Sequence, residues 1–313
     1  MNSHNKQLPQ LEGDIFLTDG GLETTLIFQD GFELPHFAAF DLLSSSKGQR
    51  ALSDYFRHYA AIASRQGTGL VLETPTWRAS PDWGKKLGYD SLGLERANRA
   101  AVRLLEGVRR EYQGAGTPIV ISGCIGPRED GYVKRGHMTP AQAMTYHEAQ
   151  VHTFAETGAD MVSGVTMTYP EEAIGVVLAA QKVAIPVVIS FTTETDGRLP
   201  NGQSLREAIE RVDAATGNGP VYYMINCAHP DHFSQALKRK EQWVSRIHGI
   251  RANASRQSHA ELDEAEELDP GNPRELAQQY KRLRQRFPQF KVLGGCCGTD
   301  HRHIHQIGIQ CAH

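Results

Sequence analysis

The chain has 313 residues, of which 40% are hydrophobic and 22% are charged, and its formal net charge at pH 7 is -3. This balance contains no basic stripe and no polybasic run, which argues against nucleic acid or a membrane surface as a partner. The polar N-terminus forms no apolar signal core, and no apolar run approaches the ~20 residues that span a bilayer. Five cysteines, an odd number, favour a cytoplasmic protein with reduced thiols over a disulfide framework.

Short apolar runs that end in polar or turn residues recur eight times. The predicted strands are Ile15–Leu17, Leu70–Leu72, Pro118–Ile121, Met161–Ser163, Val187–Phe191, Val221–Ile225, Ile247–Ile250 and Lys291–Leu293. Helical spacing of apolar residues and capping signals predict the intervening helices. These are Ser53–Arg65, Glu95–Tyr112, Pro140–Thr157, Pro170–Lys182, Ser204–Thr216, His232–Lys240, Pro273–Arg286 and His301–Ile309.

Strand and helix thus alternate through the whole chain, which predicts an α/β protein with a parallel sheet. Eight units predict a single closed (β/α)8 barrel of the TIM type, one domain over residues 1–313 with a polar tail at 1–14. A doubly wound open sheet is the alternative. Its nucleotide-binding version is weakened because no Gly-x-Gly-x-x-Gly follows the first strand.

Barrel enzymes place their active sites where strands end and the following loops begin, and nine residues of interest fall near such ends. They are Asp19, Glu73, Cys124, Val165, Phe191, Cys227, Arg251, Cys296 and Cys297. Cys296 and Cys297 lie between Gly294-Gly295 and Gly298-Thr299, in a turn rather than in a core element. Strands six and eight can bring Cys227 and this pair to one rim of the barrel.

Three thiolates can hold one zinc ion and leave a coordination position open for a substrate sulfur. The metal lowers the pKa of that thiol, and the thiolate keeps its nucleophilicity at neutral pH. It can then attack a methyl group carried on a sulfonium or an ammonium, with alignment supplied by the protein. The cysteine pattern therefore predicts zinc-dependent methyl transfer to a thiol.

Other functions remain open from the residues alone. Cys124 could complete a closed four-cysteine zinc site of structural type. Zinc-dependent hydrolysis is less favoured, because three thiolates make zinc a weak acid towards water and no general base flanks the motif. A non-catalytic thiol- or metal-binding barrel is a third possibility. Cys311 is interpreted as a free thiol. Four histidines near the motifs are interpreted as surface or supporting groups rather than ligands: His229, His301, His303 and His305.

Three motifs together resemble the homocysteine S-methyltransferase family. They are Asp19-Gly20-Gly21, Asn226-Cys227 and Gly294-Gly295-Cys296-Cys297-Gly298, and the resemblance spans about Ile15 to His303. The resemblance implies a zinc-holding (β/α)8 barrel in which Cys227, Cys296 and Cys297 are the metal ligands. It also implies that Asp19 faces the ammonium of homocysteine, that Gly20 and Gly21 approach the substrate closely, and that Asn226 belongs to the substrate site.

The chain departs from this family after strand four. Members that act on homocysteine usually carry a glutamate there that binds the amino group, whereas this chain has Val165. A valine cannot pair with an ammonium, and an unpaired buried cation is costly. Either Asp19 and Glu73 take over this contact, or the acceptor is a thiol without an amino group.

The loop after strand two supplies further candidates. Arg78 can pair with a carboxylate of either substrate, or be a solvated loop arginine. Trp77 and Trp83 can attract a cationic methyl donor through their ring faces, or serve only in packing.

Two further segments receive weaker assignments. The polar stretch 253–272 is interpreted as a solvated lid or loop rather than a cation site, and Glu194 and Asp196 as part of a substrate loop at most. The chain ends soon after the cysteine motif, without the long extension that some betaine-using relatives employ for oligomer contacts. This favours a monomer or simple homo-oligomer and, weakly, a sulfonium donor such as S-methylmethionine.

Overall fold

The strands form a closed parallel barrel in a computed structural model that describes residues 8–131, 137–265 and 267–312. The strands are β1 Phe16–Leu17, β2 Gly69–Glu73, β3 Ile119–Ile125, β4 Met161–Met167, β5 Val187–Thr192, β6 Tyr222–Asn226, β7 Ile247–Ala252 and β8 Val292–Gly295. Each pairs with its neighbour in chain order, and β1 closes on β8 with Phe16 opposite Val292. The predicted single (β/α)8 barrel and all eight predicted strands are confirmed.

Helices connect the strands and cover the barrel. They are α1 Leu22–Phe28, α2 Ser46–Gln66, α3 Pro81–Lys86, α4 Ser91–Tyr112, α5 Pro140–Ala155, α6 Pro170–Lys182, α7 Leu205–Thr216, α8 Pro230–Phe233, α9 His259–Asp263, α10 Pro273–Arg286 and α11 His301–Cys311. The predicted capping box is present, since Ser204 Oγ accepts from the backbone N–H of Glu207 and the Glu207 side chain accepts from Ser204 N–H. No helix among the described residues is both long and apolar enough to cross a membrane.

The structure corrects two predicted helices. The helix predicted to start at Ser53 begins seven residues earlier, because Ser45 rather than Ser53 is the N-cap and accepts from Gly48 N–H at 3.0 Å. The predicted helix His232–Lys240 is wrong for most of its length, since α8 ends at Phe233. Leu237 is buried, but Lys238, Arg239 and Lys240 after it are exposed and charged, so a longer helix would gain no further apolar surface to bury.

The N-terminal side of the barrel is closed by residues from the predicted polar tail. Leu8 packs with the apolar side chains at the strand starts, and Gln10 is fully buried. The Gln10 amide lies 3.5 Å from the Tyr222 hydroxyl. The tail beyond residue 8 therefore belongs to the folded domain, and residues 1–7 lie outside the described part of the chain.

Candidate metal centre and substrate cavity

Three cysteines meet at the C-terminal rim of the barrel. The Sγ atoms of Cys227, Cys296 and Cys297 all lie within 4.8 Å of one another. Two ligands of a tetrahedral zinc–thiolate site, each about 2.3 Å from the ion, are separated by about 3.8 Å. The cluster therefore has three sulfur donors close enough to share one zinc ion, and three protein ligands would leave a fourth position free.

Two of these sulfurs are paired in the structure. Cys227 and Cys296 are joined in a disulfide, with their Cα atoms 5.4 Å apart, and Cys297 is not part of that disulfide. This differs from the expectation that all thiols are reduced. The three sulfurs lie close together, and sulfurs close enough to share a metal ion are also close enough to form a disulfide. Metal binding requires the reduced form, since the thiolate is the ligand.

The loop that carries Cys296 and Cys297 is held by backbone contacts. Cys296 N–H donates to Ala252 O at 2.8 Å, and the Thr299 hydroxyl donates to Cys296 O at 2.7 Å. Gly298 has φ of 77°, a left-handed conformation that glycine adopts without strain. The Gly-rich sequence around the two cysteines is thus explained by the turn that presents both sulfurs to the same rim.

The loop also packs tightly against the start of the chain. A Cβ atom at Gly21 would lie 2.6 Å from Cys296 O, so only glycine fits at that position. Thr24 Oγ1 accepts from Gly298 N–H at 3.2 Å. These contacts place the first turn of α1 beside the cysteine loop, with Gly21 close to both that loop and the cavity.

A cavity of about 310 Å³ opens beside the three sulfurs. Its wall comes from the strand ends, from α1 and from the segment 253–269, so the stretch interpreted as a solvated lid instead lines the site. The predicted site residues that line it are Asp19, Gly20, Gly21, Glu73, Trp77, Arg78, Val165, Cys227, Cys296 and Cys297.

Arg251, at the end of β7, organises one side of the cavity. Its Nη2 lies 2.6 Å from Asp19 Oδ1 and its Nη1 lies 2.9 Å from Glu73 Oε2. Its Nε donates to Gly295 O at 3.1 Å, and Tyr55 donates to the second oxygen of Asp19 at 3.2 Å. Burial raises the pKa of both carboxyl groups, against the attraction of the guanidinium. The two acids expected to bind a substrate ammonium therefore already share a cation of the protein.

Arg251 had no predicted role, although its position directly after a predicted strand is a signal in the sequence. The ion pairs join residues 178 and 232 positions apart, and nothing in the local sequence indicates that pairing. All three side chains are at most 9% exposed, so the pairs are inside the protein rather than on its surface.

Glu23 is a second residue that sequence analysis did not identify. It lies in the first turn of α1, is half-buried and lines the cavity. Burial raises the pKa of its carboxyl group to about 7, and the nearby charge of Asp19 acts in the same direction. Among the described residues, no cationic side chain forms an ion pair with it. The only signal in the sequence was an acidic residue two positions after Asp19-Gly20-Gly21.

Val165 lines the cavity at the position where a carboxylate was expected, and it is 7% exposed. The next residue, Thr166, has φ of 63°, which is strained for a β-branched residue. Its backbone N–H donates to Asn226 Oδ1 at 3.0 Å, and the Asn226 amide donates to the Thr166 hydroxyl at 2.8 Å. Asn226 is fully buried and also accepts from Ser190 at 2.6 Å.

Asn226 is therefore not among the residues that line the cavity. This differs from its predicted place in the substrate site. Its amide holds the end of β4 against the end of β6, and so acts on the site through backbone position.

The aromatic rings of the loop after β2 are already in contact with cations. The Arg78 guanidinium carbon lies 3.9 Å from the ring centroid of Trp77 and 3.7 Å from that of Trp83. Lys86 Nζ also lies 3.7 Å from the Trp83 ring. Trp77 lines the cavity, whereas Trp83 is not among its lining residues, and both rings stack on Arg78. Arg78 is buried at the cavity rather than solvated.

The remaining candidates take supporting positions. Cys124 lines the cavity and burial raises its pKa, but it is outside the three-sulfur cluster found among the described residues. His229 is buried, which lowers its pKa to about 4, and it is likewise not in that cluster. Glu194 lies 3.5 Å from His259, whose Nε2 donates to Cys227 O.

Comparisons with known proteins agree with this geometry. The model of the family described as homocysteine S-methyltransferase matches residues 16–311. No curated protein matches the chain.

Three solved structures of the homocysteine methyltransferase MmuM from Escherichia coli share the fold at 20% sequence identity. The metallated form has a TM-score of 0.72 and covers 99% of this chain and 100% of that one. The oxidized form has a TM-score of 0.75, with coverage of 96% and 97%. The apo form has a TM-score of 0.67, with coverage of 99% and 100%. With a family model matched over nearly its whole length, the chain belongs to the homocysteine S-methyltransferase family.

Proposed function

We propose that this enzyme is a zinc-dependent methyltransferase that moves a methyl group from a sulfonium donor, such as S-methylmethionine, to a thiol. Homocysteine is the default acceptor, which makes methionine the product. The observation that carries the proposal is the convergence of three cysteine sulfurs within 4.8 Å beside a cavity at the strand ends.

The donor set fits zinc, since thiolate sulfur is among its preferred ligands and three of them leave room for an exogenous group. When bound, zinc supplies a Lewis acid that lowers the pKa of an acceptor thiol. The chain's own share is to hold the three sulfurs in place. Cys227 is fixed through its carbonyl by His259, and Cys296 through its carbonyl by Thr299.

The cavity provides the alignment that methyl transfer needs. The acceptor sulfur forms a bond to the methyl carbon while the carbon–sulfur bond of the sulfonium breaks, and the departing thioether keeps the electron pair. The acceptor's proton leaves to solvent, so no oxidant or reductant is needed. A cavity of about 310 Å³ is of a size for small substrates, and its walls limit the orientations they can take.

We also propose a cytoplasmic location, because the three ligand thiols have to stay reduced to bind metal. A monomer or a simple homo-oligomer is the expected assembly. The partners are then only the two small substrates, without nucleic acid or membrane.

The test is a methyl-transfer assay with reduced, zinc-loaded protein, S-methylmethionine and a panel of thiols, with products identified by mass spectrometry. We expect a methyl thioether to form, and chelation to abolish it until zinc is restored. Undiminished activity after complete metal removal would contradict the metal assignment. Absence of any methylated thiol across the panel and across sulfonium and ammonium donors would contradict the proposed reaction.

A further inference from the structure

The cavity has lost its expected carboxylate at the end of β4. Val165 is the residue that lines the wall there, and its backbone carbonyl accepts from the Trp77 indole N–H at 3.3 Å. A valine side chain offers no hydrogen-bond acceptor, so this part of the wall cannot compensate the charge of an ammonium. If the acceptor carries an amino group, another residue has to bind it.

The two other acids near the strand ends are engaged by the protein itself. Asp19 contacts Arg251 through one oxygen and Tyr55 through the other, and Glu73 contacts Arg251 at 2.9 Å. The Arg251 guanidinium already supplies these carboxylates with the positive charge that a substrate ammonium would otherwise supply. An ammonium placed on Asp19 would also meet the like charge of Arg251, which weakens its binding.

Glu23 is an acid of the cavity wall beside the cysteine loop that is not committed in this way. Among the described residues it forms no ion pair, although it is half-buried. The contacts of Gly21 with Cys296 and of Thr24 with Gly298 hold its turn of α1 beside the cysteine loop. A carboxylate without an ionic partner in such a place gains more from a cationic ligand than a solvated one does.

The charge of Arg78 complements this arrangement. Arg251 and, more weakly, Arg78 attract the Glu23 carboxylate electrostatically, and Arg78 lines the same cavity. An α-amino acid carries an ammonium and a carboxylate on the same carbon. A cavity wall that carries both acidic and basic side chains, Glu23 and Arg78 among them, suits such a zwitterion better than it suits a simple alkyl thiol.

We propose that Glu23 binds the ammonium group of an amino-acid thiol, and that this residue takes the place of the glutamate missing at Val165. The acceptor class is then an α-amino acid with a terminal thiol. This inference rests on the proposed methyl-transfer function and assigns a substrate contact within it. Glu23 is a specificity residue here, because it touches the substrate at a distance from the reacting sulfur.

The test compares homocysteine with 4-mercaptobutanoate, which differs only by lacking the amino group. The proteins are the wild type, Glu23→Gln, Glu23→Asp and the exposed control Glu33→Gln, each loaded with zinc. Both kcat/KM and direct binding by calorimetry are measured for each thiol. The binding measurement reports recognition independently of turnover.

We expect the wild type to prefer homocysteine. Glu23→Gln should lower kcat/KM and affinity for homocysteine by about 10- to 100-fold, the range for a charge-assisted hydrogen bond, and change those for 4-mercaptobutanoate less than about threefold. Glu23→Asp should keep part of the preference, because it keeps the charge. Glu33→Gln should match the wild type for both thiols.

Other outcomes separate this inference from the proposed function. Equal losses for both thiols in Glu23→Gln and Glu23→Asp would overturn the contact and indicate a structural role. A wild type that methylates 4-mercaptobutanoate as well as homocysteine would overturn the contact while leaving methyl transfer intact. A wild type that methylates no thiol would overturn the proposed function itself.

Discussion

The cavity has two halves that differ in how their residues are used. In one half, the sulfurs of Cys227, Cys296 and Cys297 converge within 4.8 Å in a family that transfers methyl groups to homocysteine. In the other, Val165 stands where a carboxylate was expected, and Asp19 is paired with Arg251. The half that would bind the reacting sulfur thus has the three cysteines that the family resemblance implies, whereas the half that would bind the rest of the substrate differs from that pattern at Val165.

The largest effect should follow from removing a sulfur in the first half. Cys297→Ala leaves two candidate ligands, and we expect loss of zinc retention and a fall in kcat/KM of more than about 1,000-fold. Zinc content by elemental analysis and turnover are measured together. The matched control is Cys311→Ala in α11, a buried thiol outside the cavity, which should keep both properties. Normal turnover in Cys297→Ala would refute the ligand assignment.

The next largest effect concerns how much the ion pairs of Arg251 in the second half of the cavity stabilise the fold. Arg251→Met leaves the buried carboxylates of Asp19 and Glu73 without their cation, and we expect a loss of about 3–5 kcal/mol in the free energy of unfolding. Denaturant titration of the zinc-loaded protein measures it. Arg206→Met removes an exposed pair with Glu210 and should cost about 0–1 kcal/mol. Similar values for the two variants would show that the Arg251 pairs are not a buried network.

Restoring the missing acid is expected to have a smaller effect. Val165→Glu places a carboxylate on the cavity wall, and we expect kcat/KM for homocysteine to rise by about two- to tenfold relative to 4-mercaptobutanoate. A folded Val165→Glu variant with no gain would place the ammonium away from the end of β4. That result is compatible with Glu23 as the ammonium-binding residue.

A change of pH should produce the smallest effect. Burial raises the pKa of Glu23 to about 7, so its carboxyl group is neutral below that value and charged above it. An ammonium binds the charged form. The ratio of kcat/KM for homocysteine to that for 4-mercaptobutanoate should therefore rise by about tenfold from about pH 6 to about pH 8.

The ratio of the two kcat/KM values cancels the effects of thiol ionisation and of metal-ligand ionisation, because these effects act on the reactions of both substrates. The Glu23→Gln variant is the control, and its ratio should not change over this range. A ratio in the wild type that is independent of pH would contradict the assignment of Glu23.

The fold was predictable because each strand is a short apolar run that ends in a turn. Even Met161 and Ile247 begin strands where the sequence has few apolar residues to mark them. The short helix α8 was not predicted, since His232 and the lysines after it resemble a helical segment in composition. Its end at Phe233 is not marked in the sequence by a glycine or a proline, since the C-cap is Ser234.

The candidate site likewise has a part that could be predicted from the sequence and a part that could not. Adjacent cysteines between glycines are an unusual pattern, and the amino-acid sequence alone is enough to indicate a metal loop there. Arg251 could not be assigned from sequence, because its partners Asp19 and Glu73 come from other strands and the three groups meet only when the barrel closes. Glu23 was missed because an acidic residue in a first helical turn is common for reasons unrelated to binding.

The most direct test is X-ray absorption at the zinc edge on reduced, zinc-loaded protein, before and after adding an acceptor thiol. We expect three sulfur ligands at about 2.3 Å and one lighter ligand in the free enzyme, and four sulfur ligands once the thiol is bound. The same spectrum with and without thiol, or four protein ligands from the start, would contradict an open three-cysteine site.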